Sequence, residues 1–204
     1  GVPGGGWAGN RTRDNIATIF GDYSGATDKR AMFHLNTSVK IEDIAVYKQG
    51  LAVTKFRNVN KDGKPAPPAA EGFVASVDFP LIRLAEMNLI YAEATLRGGS
   101  GGSLAKALDY VNKLRVRAYG NNSGNLTHLS LDDILNERVK ELYWEGFRRS
   151  DLIRYGKFTG DNYLWPFKGG VLAGQAVAGY RTLFPLPASD IIANSNLVQN
   201  PGYN

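Results

Sequence analysis

The chain has 204 residues, of which 43% are hydrophobic and 21% charged, a composition typical of a globular protein. It contains no cysteine, which excludes disulfides and thiolate metal sites. The net charge is +5, but most arginines stand beside glutamates in segments with helical spacing. Such alternation of sign is typical of solvated faces and not of a phosphate-binding stripe, so nucleic acid is not expected as a partner.

The sequence contains neither a candidate membrane-spanning segment nor a recognisable export signal. No window approaches the run of about 18 apolar residues that a membrane span requires. The sequence starts at Gly1 without an initiator methionine, a signal peptide or a lipid-attachment cysteine. We therefore expect a fragment of a longer protein, with its targeting information upstream.

The first 77 residues are rich in glycine and irregular. A short helix is predicted over 15–20. The alternation over 44–56, centred on Gly50, predicts a small β-hairpin with four candidate inward residues: Ala45, Tyr47, Val53 and Phe56. The segment 61–68 contains three prolines and is predicted to be a loop.

Helical spacing begins after this loop. Asp78 suits an N-cap and Pro80 the first turn of a helix, which Gly98 and Gly99 end. A second helix starts at Ser103, and the five-residue link between the two predicts an antiparallel pair. A third helix opens with a capping box at Ser130 and continues through Glu145, and a short helix is predicted over 149–155.

These elements predict a mainly α protein built from tetratricopeptide-like helical hairpins, with one small β-hairpin. Three segments are expected: a loop-rich, ligand-facing segment over 1–77, the helical hairpins over 78–155, and an irregular segment over 156–204 that packs on the helices.

Candidate catalytic groups are few. His34 and His128 lie in predicted loops without a second histidine at metal-ligand spacing. Glu137, Glu141 and Glu145 follow one another at i, i+4 and i+8, and a glycosidase uses two carboxylates about 5–10 Å apart.

The neighbours of these glutamates favour a structural role. Three arginines close in sequence are expected to neutralise them: Arg138, Arg148 and Arg149. A catalytic role for the glutamates is the less favoured alternative.

Aromatic side chains in loops are better candidates for ligand binding, because sugar rings present apolar C–H faces that stack on them. Trp7 lies in a glycine-rich loop near Asn10 and Arg11, whose polar groups suit sugar hydroxyls. Trp165 with Tyr163 is a second candidate. The alternative is that these rings cap the helical core.

Several motifs, in order, resemble the SusD/RagB family. The segment 137–154 resembles its signature helix, marked by Glu137, Arg138, Glu141, Glu145, Arg148 and Asp151. The segments 184–190 and 199–203 resemble the closing motif of the family, and 78–94 resembles its penultimate helical hairpin. Ser150 departs from the pattern, because many members carry an aromatic residue there.

The resemblance implies a right-handed superhelix of helical pairs with ligand-binding loops. It implies a lipid-anchored protein on the outer face of the Bacteroidetes outer membrane, with its anchor upstream of this chain. Such proteins are not enzymes; they capture oligosaccharides and pass them to a SusC-like TonB-dependent transporter. No cofactor or metal is expected, although Asp78 as a structural calcium ligand is an alternative to its role as a cap.

The resemblance also bears on individual residues. It matches Trp7 to the aromatic arc that holds sugar, and it gives the signature residues a supporting role in the helices. Two alternatives to glycan capture stay open: a scaffold whose main partner is the transporter, and a binder of other cargo such as peptide.

Overall fold

The computed structural model describes residues 10–66 and 77–203, and the chain divides after Phe147 into two compact units. The described elements of the first unit are α1 (Asp14–Phe20), β1 (Phe33–Leu35), β2 (Leu51–Val53), α2 (Leu84–Leu96), α3 (Leu104–Tyr119), a 3-10 turn (Asn122–Gly124) and α4 (Leu131–Leu142). Those of the second unit are α5 (Arg148–Arg154), α6 (Ala188–Ala193) and two 3-10 turns, Lys168–Gly170 and Gly179–Thr182. Helices are thus the main regular structure, as predicted.

Helices α2 and α3 form the predicted hairpin. Buried residues recur at i, i+4 and i+7 on each helix: Ala85, Leu89 and Ala92 on α2, and Ala107, Val111 and Leu114 on α3. Three of these six are alanines, which let the two backbones approach closely. Ser103 caps α3 by accepting a hydrogen bond from the Lys106 N–H, and Gly120 ends it with a left-handed backbone.

Helix α4 completes this core. Ile134 and Leu142 pack into the same cluster as the α2–α3 residues. The predicted capping box is present, with Ser130 and Asp133 each accepting a backbone hydrogen bond from the other. Two hydrogen bonds between the Asn112 side chain and the Leu126 backbone, 2.9 and 2.8 Å, hold the connection from α3 to α4.

A second cluster packs the sheet and α1 against α4. Phe20, Ala31, Val139 and Tyr143 are buried together, and the ring centroids of Phe20 and Tyr143 lie 5.8 Å apart in an edge-to-face arrangement. The Tyr143 hydroxyl donates to the Arg30 carbonyl at 2.7 Å. This cluster places residues 28–33 beside the polar face of α4.

The two-stranded sheet is present, but its location differs from the prediction. Strand β2 pairs antiparallel with β1, with Phe33 opposite Val53, and not with residues 44–49. Gly50, whose φ is +83°, stands where Ile41 and the Thr12 carbonyl approach too closely for a side chain. Ala45 and Tyr47, which were predicted to point inward, are exposed.

The start of α2 was also predicted wrongly. The helix begins at Leu84, with Arg83 as its N-cap, and not at Asp78–Pro80. Arg83 has an extended backbone, from which its side chain donates to Glu141 and Glu145. These long-range ion pairs hold Arg83 outside the helix, and Asp78 is an exposed residue that caps nothing.

The second unit is held by polar and aromatic contacts. The short helix predicted over 149–155 is found as α5. Arg149 donates to the Thr182 carbonyl at 2.9 Å and lies 4.0 Å from the centre of the Phe184 ring. No helix in the described part of either unit is long and apolar enough to cross a membrane.

Candidate functional site

The three glutamates of the signature segment are buried and paired. Glu137 is 2% exposed and accepts from Arg30 and Arg115, each at 2.6 Å. Glu141 accepts from Arg83 and Arg117, also at 2.6 Å. Glu137 and Glu141 therefore each have at least two arginine donors, which offset the cost of burying their charge.

Glu145 is the third member of this network, but it lies beyond the end of α4, which was predicted to continue through it. Helix α4 ends at Leu142, and Trp144 and Gly146 have positive φ angles of +64° and +84°. This turn aims Glu145 at Arg83, which donates at 2.7 Å, and at Lys55, which donates to the same carboxylate.

The electrostatics oppose acid catalysis. Burial alone raises the pKa of Glu141, but hydrogen bonds from Arg83 and Arg117 outweigh burial and lower the pKa to about 2. A general acid needs a carboxyl group that stays protonated near the working pH. Glu141 is instead ionised near neutral pH and its oxygens already accept hydrogen bonds from arginines, which favours a structural role.

Four arginines pair with Glu137, Glu141 and Glu145, and none of the four had been predicted to do so. They come from distant segments: Arg30, Arg83, Arg115 and Arg117. Arg138 instead lies 3.8 Å from Glu86, because its side chain leaves the helix about 100° away from that of Glu137. Within the second unit, Arg148 donates to the Tyr163 hydroxyl at 2.9 Å, and Asp151 pairs with Arg154 at 2.8 Å.

Arg11, a predicted ligand residue, is engaged with a loop. Its two terminal nitrogens donate to the Val46 and Ile44 carbonyls at 2.6 and 2.9 Å. The guanidinium lies 5.6 Å from the centre of the Tyr47 ring. Arg11 therefore positions the segment that carries Tyr47, whereas Asn10 next to it is exposed.

Tyr47 is an exposed aromatic residue, although the sequence predicted that it points inward. Its side chain is 61% exposed because it lies on a loop, residues 36–50, and not in a strand. The available signal was the polar context of residues 42–49, which hold Glu42, Asp43, Lys48 and Gln49. The alternation of residues over 44–56 predicted a hairpin instead, and this prediction placed Tyr47 on its inner face.

The 36–50 loop is closed by its own hydrogen bonds. The Gly50 N–H donates to the Ser38 carbonyl at 2.8 Å, and the Thr37 hydroxyl donates to the Lys48 carbonyl at 2.7 Å. The Gln49 side-chain carbonyl accepts from the Glu42 and Asp43 N–H groups. These bonds set the loop in one shape despite its exposure.

A groove of about 490 Å³ runs along this loop. It is lined by Thr37, Ser38, Val39, Lys40, Glu42, Val46, Lys48 and Gln49. Hydroxyl, carboxylate, ammonium and amide groups are the donors and acceptors that saccharide hydroxyls require, and Tyr47 adjoins the groove in sequence between Val46 and Lys48. Sugar-binding sites combine such polar groups with an aromatic platform.

The second predicted cluster has more internal contacts. The Trp165 ring lies 6.1 Å from those of Phe158 and Tyr163. The buried ammonium of Lys168 lies 4.6 Å from the Trp165 ring centre and donates to the Gly160 and Tyr163 carbonyls. Trp165 and Tyr163 are only partly exposed, so their faces are already largely used inside the second unit.

The remaining residues considered in the sequence are Trp7, His34 and His128. Trp7 lies outside the described residues. His34 lies in strand β1 and not in a loop, and His128 is an exposed loop residue, as predicted. Within residues 10–66 and 77–203, no group of three or more histidine, aspartate or glutamate side chains is arranged to hold a metal ion.

Together these features define a class of protein: helical hairpins with a buried ion-pair network, carrying a groove and an exposed ring on loops. The model of the SusD family matches residues 36–203. The chain belongs to the SusD family, as its motifs indicated.

Named relatives agree with this assignment. The chain is 37% identical over 200 residues to the starch-binding protein SusD of Bacteroides thetaiotaomicron, a match that covers 96% of this chain and 33% of that protein. It is 34% identical over 146 residues to SusD-like protein P2 of Formosa agariphila, covering 65% and 27% of the two chains. The chain thus spans about a third of the length of its curated relatives.

Solved structures show the same fold. A SusD superfamily protein from Bacteroides vulgatus has a TM-score of 0.64 at 28% identity, over 94% of this chain and 38% of that one. Surface glycan-binding protein A from Bacteroides uniformis has a TM-score of 0.58 at 25% identity, over 85% and 38%. These structures confirm the fold class that the family resemblance implied.

Proposed function

We propose that this chain is part of a non-enzymatic surface protein that captures oligosaccharide or polysaccharide outside the cell. Membership of the SusD family supports the proposal, as do the names of two similar proteins, one starch-binding and one surface glycan-binding. In this proposal the captured sugar passes to a SusC-like TonB-dependent transporter in the outer membrane.

One observation supports the assignment of a site: the 36–50 loop carries both a polar groove and an exposed ring, Tyr47, whose sequence neighbours Val46 and Lys48 line that groove. A sugar would stack its C–H face on Tyr47 and exchange hydrogen bonds with Lys40, Glu42 and Lys48, whose side chains are exposed. Such a site has a dissociation constant near 1 mM, about −4 kcal/mol. Many copies bound along one polymer raise the effective affinity.

Other residues have defined places in this proposal. Arg11 positions the loop through the Val46 and Ile44 carbonyls, and Asn10 offers its exposed amide. Trp7, four residues before Arg11, is proposed as a second ring of the platform. Trp165 and Tyr163 form a second candidate platform in the other unit, to be tested separately.

The test is affinity electrophoresis of this chain in gels that contain one polysaccharide each, across neutral and acidic glycans. We expect retardation by at least one glycan. Tyr47→Ala should weaken that retention about 5- to 10-fold through loss of the stacking platform. Tyr47→Phe, which keeps the ring, should retain binding.

Three further results decide between the alternatives. Loss of retention in Trp7→Ala but not in Tyr47→Ala would move the platform to the Trp7 loop. Loss only in Trp165→Ala would move it to the second unit. If no glycan retards the chain or the longer protein that contains it, the glycan proposal is wrong, and a scaffold role in contact with the transporter takes its place.

A further inference from the structure

A second groove in the first unit has a different chemistry. It encloses about 410 Å³ and shares no lining residue with the groove of the 36–50 loop. Six of its lining side chains are cations: Lys29, Arg30, Lys55, Arg83, Arg117 and Lys140. Only Glu141 and Glu145 among its lining residues are carboxylates. Asp28 and Glu137, which also pair with Arg30, lie in the network behind it.

Three of the six cations already use their hydrogen-bond donors within the protein. Arg30 donates through all three of its guanidinium nitrogens to Asp28, Glu137 and Glu141. Arg83 does the same toward Glu141 and Glu145. The Lys55 ammonium donates to two carbonyls and to Glu145. These cations neutralise the buried carboxylates and offer little to a ligand.

The other three cations keep N–H groups that make no hydrogen bond with the described residues. Arg117 contacts Glu141 through one terminal nitrogen only, and its side chain is 56% exposed. Lys29 is exposed at the rim. Lys140 is 9% exposed, and its ammonium makes no hydrogen bond or ion pair with the described residues; it lies 5.7 Å from the centre of the Phe20 ring.

Among these three cations, the largely buried Lys140 says most about what the groove could bind. The charge of a largely buried lysine is poorly stabilised when no acceptor contacts its ammonium, so an anion that reached it would be favoured. Lys140 lines the groove, so an anion in the groove would be its acceptor. The same anion would use the free N–H groups of Arg117 and Lys29 at the entrance.

The remaining wall of the groove is apolar. Met32, Phe56, Pro80 and Tyr143 line it beside the cations. A free inorganic ion would leave this wall unused, whereas a sugar ring would place its C–H face on it.

We propose that this groove binds an oxyanion carried on a sugar, a uronate carboxylate or a sulfate ester, with Lys140, Lys29 and Arg117 as its donors. The proposal is independent of the Tyr47 site. An acidic sugar would bind here even if Tyr47 contacted no glycan.

The test is isothermal titration calorimetry of this chain at constant ionic strength. The probes are digalacturonate, its neutral counterpart galactobiose, and sodium sulfate. We expect digalacturonate to bind at least about tenfold more tightly than galactobiose, from the strength of charge-assisted hydrogen bonds. The double variant Lys29→Gln/Arg117→Gln should lose about tenfold in affinity for digalacturonate.

A charge-matched control separates the groove from the overall positive field. Lys64→Gln/Lys113→Gln removes two charges at side chains that are 80% and 64% exposed, away from the groove lining, and should bind as the parent does. Lys140→Met, checked for folding by circular dichroism, should lose binding.

Three outcomes would overturn the proposal. These are equal affinity for digalacturonate and galactobiose, equal losses in the groove and control double variants, and binding of sulfate alone without digalacturonate. The last result would show a site for small ions and not for acidic sugars.

Discussion

Glu141 is the residue on which three arginines of the first unit converge. It accepts from Arg30, Arg83 and Arg117, which lie in three separate segments of the chain. Breaking a buried ion pair by removing one partner is strongly destabilising, because the opposite charges stay buried without compensation. The Glu141 carboxylate therefore joins three segments that are distant in sequence.

This position gives a prediction about pH. The folded-state pKa of Glu141 is lowered to about 2, below its ordinary value, so its contribution to stability is present above about pH 4.5 and is lost as the pH falls toward 2. Glu141→Gln should lower the free energy of unfolding by about 3 kcal/mol at pH 7. The difference from the parent chain should shrink between pH 5 and pH 2.

Urea denaturation across this pH range measures the effect. Glu42→Gln, at an exposed carboxylate of the 36–50 loop, is the control and should change the free energy of unfolding little at any pH. A Glu141→Gln effect that stayed constant from pH 7 to pH 2 would contradict the assignment of the charge.

At the scale of elements, the close approach of α2 and α3 depends on small side chains. Ala92 on α2 and Ala107 on α3 are both fully buried in the shared core. Because protein interiors are close-packed, a larger side chain at this contact forces the helices apart or displaces neighbouring rotamers.

Ala107→Leu should therefore lower the free energy of unfolding by about 1–3 kcal/mol through overpacking. Ala105→Leu is the matched control, because Ala105 lies on the same helix and is exposed, and it should change stability by less than about 0.5 kcal/mol. Urea denaturation of the two variants compares them directly. Equal stability of the two would mean that the α2–α3 contact is looser than the structure shows.

At the scale of the whole molecule, the apolar core lies in one region and the proposed ligand site in another. The core of α2, α3 and α4 is apolar and buried, whereas the 36–50 loop is closed mainly by a few exposed hydrogen bonds. Regions with few buried apolar contacts open locally at low free energy.

Hydrogen exchange should show this division. Core amides of α2–α4 should exchange at least about 100-fold more slowly than those of the 36–50 loop. Adding a glycan that the chain retains should slow exchange in the loop and leave α2–α4 unchanged. Protection that appeared on α2–α4 but not on the loop would place the sugar elsewhere.

Much of this architecture was predictable because its signals are local. The capping box at Ser130, the cap at Ser103 and the glycine-rich link between α2 and α3 each depend on residues a few positions apart. The signature segment indicated the family before any coordinates, and with it the fold class. Helix caps and helical spacing involve residues within about one turn of each other, so they can be recognised from the sequence alone.

The candidate site was less predictable. The sequence indicated loop aromatics and named Asn10 and Arg11, but it assigned Tyr47 to the inside of a hairpin. The register of β2 depends on Phe33–Leu35, some 16 residues away, and nothing in the 44–56 pattern records that partner. Once β2 pairs elsewhere, residues 36–50 are left as a loop and Tyr47 becomes exposed.

The sequence by itself determined the helical pair, the caps at Ser103 and Ser130, the family and the presence of three spaced glutamates. Only the tertiary structure decided which arginines pair with those glutamates, where α2 begins, which strands pair, and that Lys140 lines a cationic groove. The reason is physical: local hydrogen bonds and side-chain periodicity act along the chain. Ion pairs, strand register and grooves depend instead on which distant segments the core brings together.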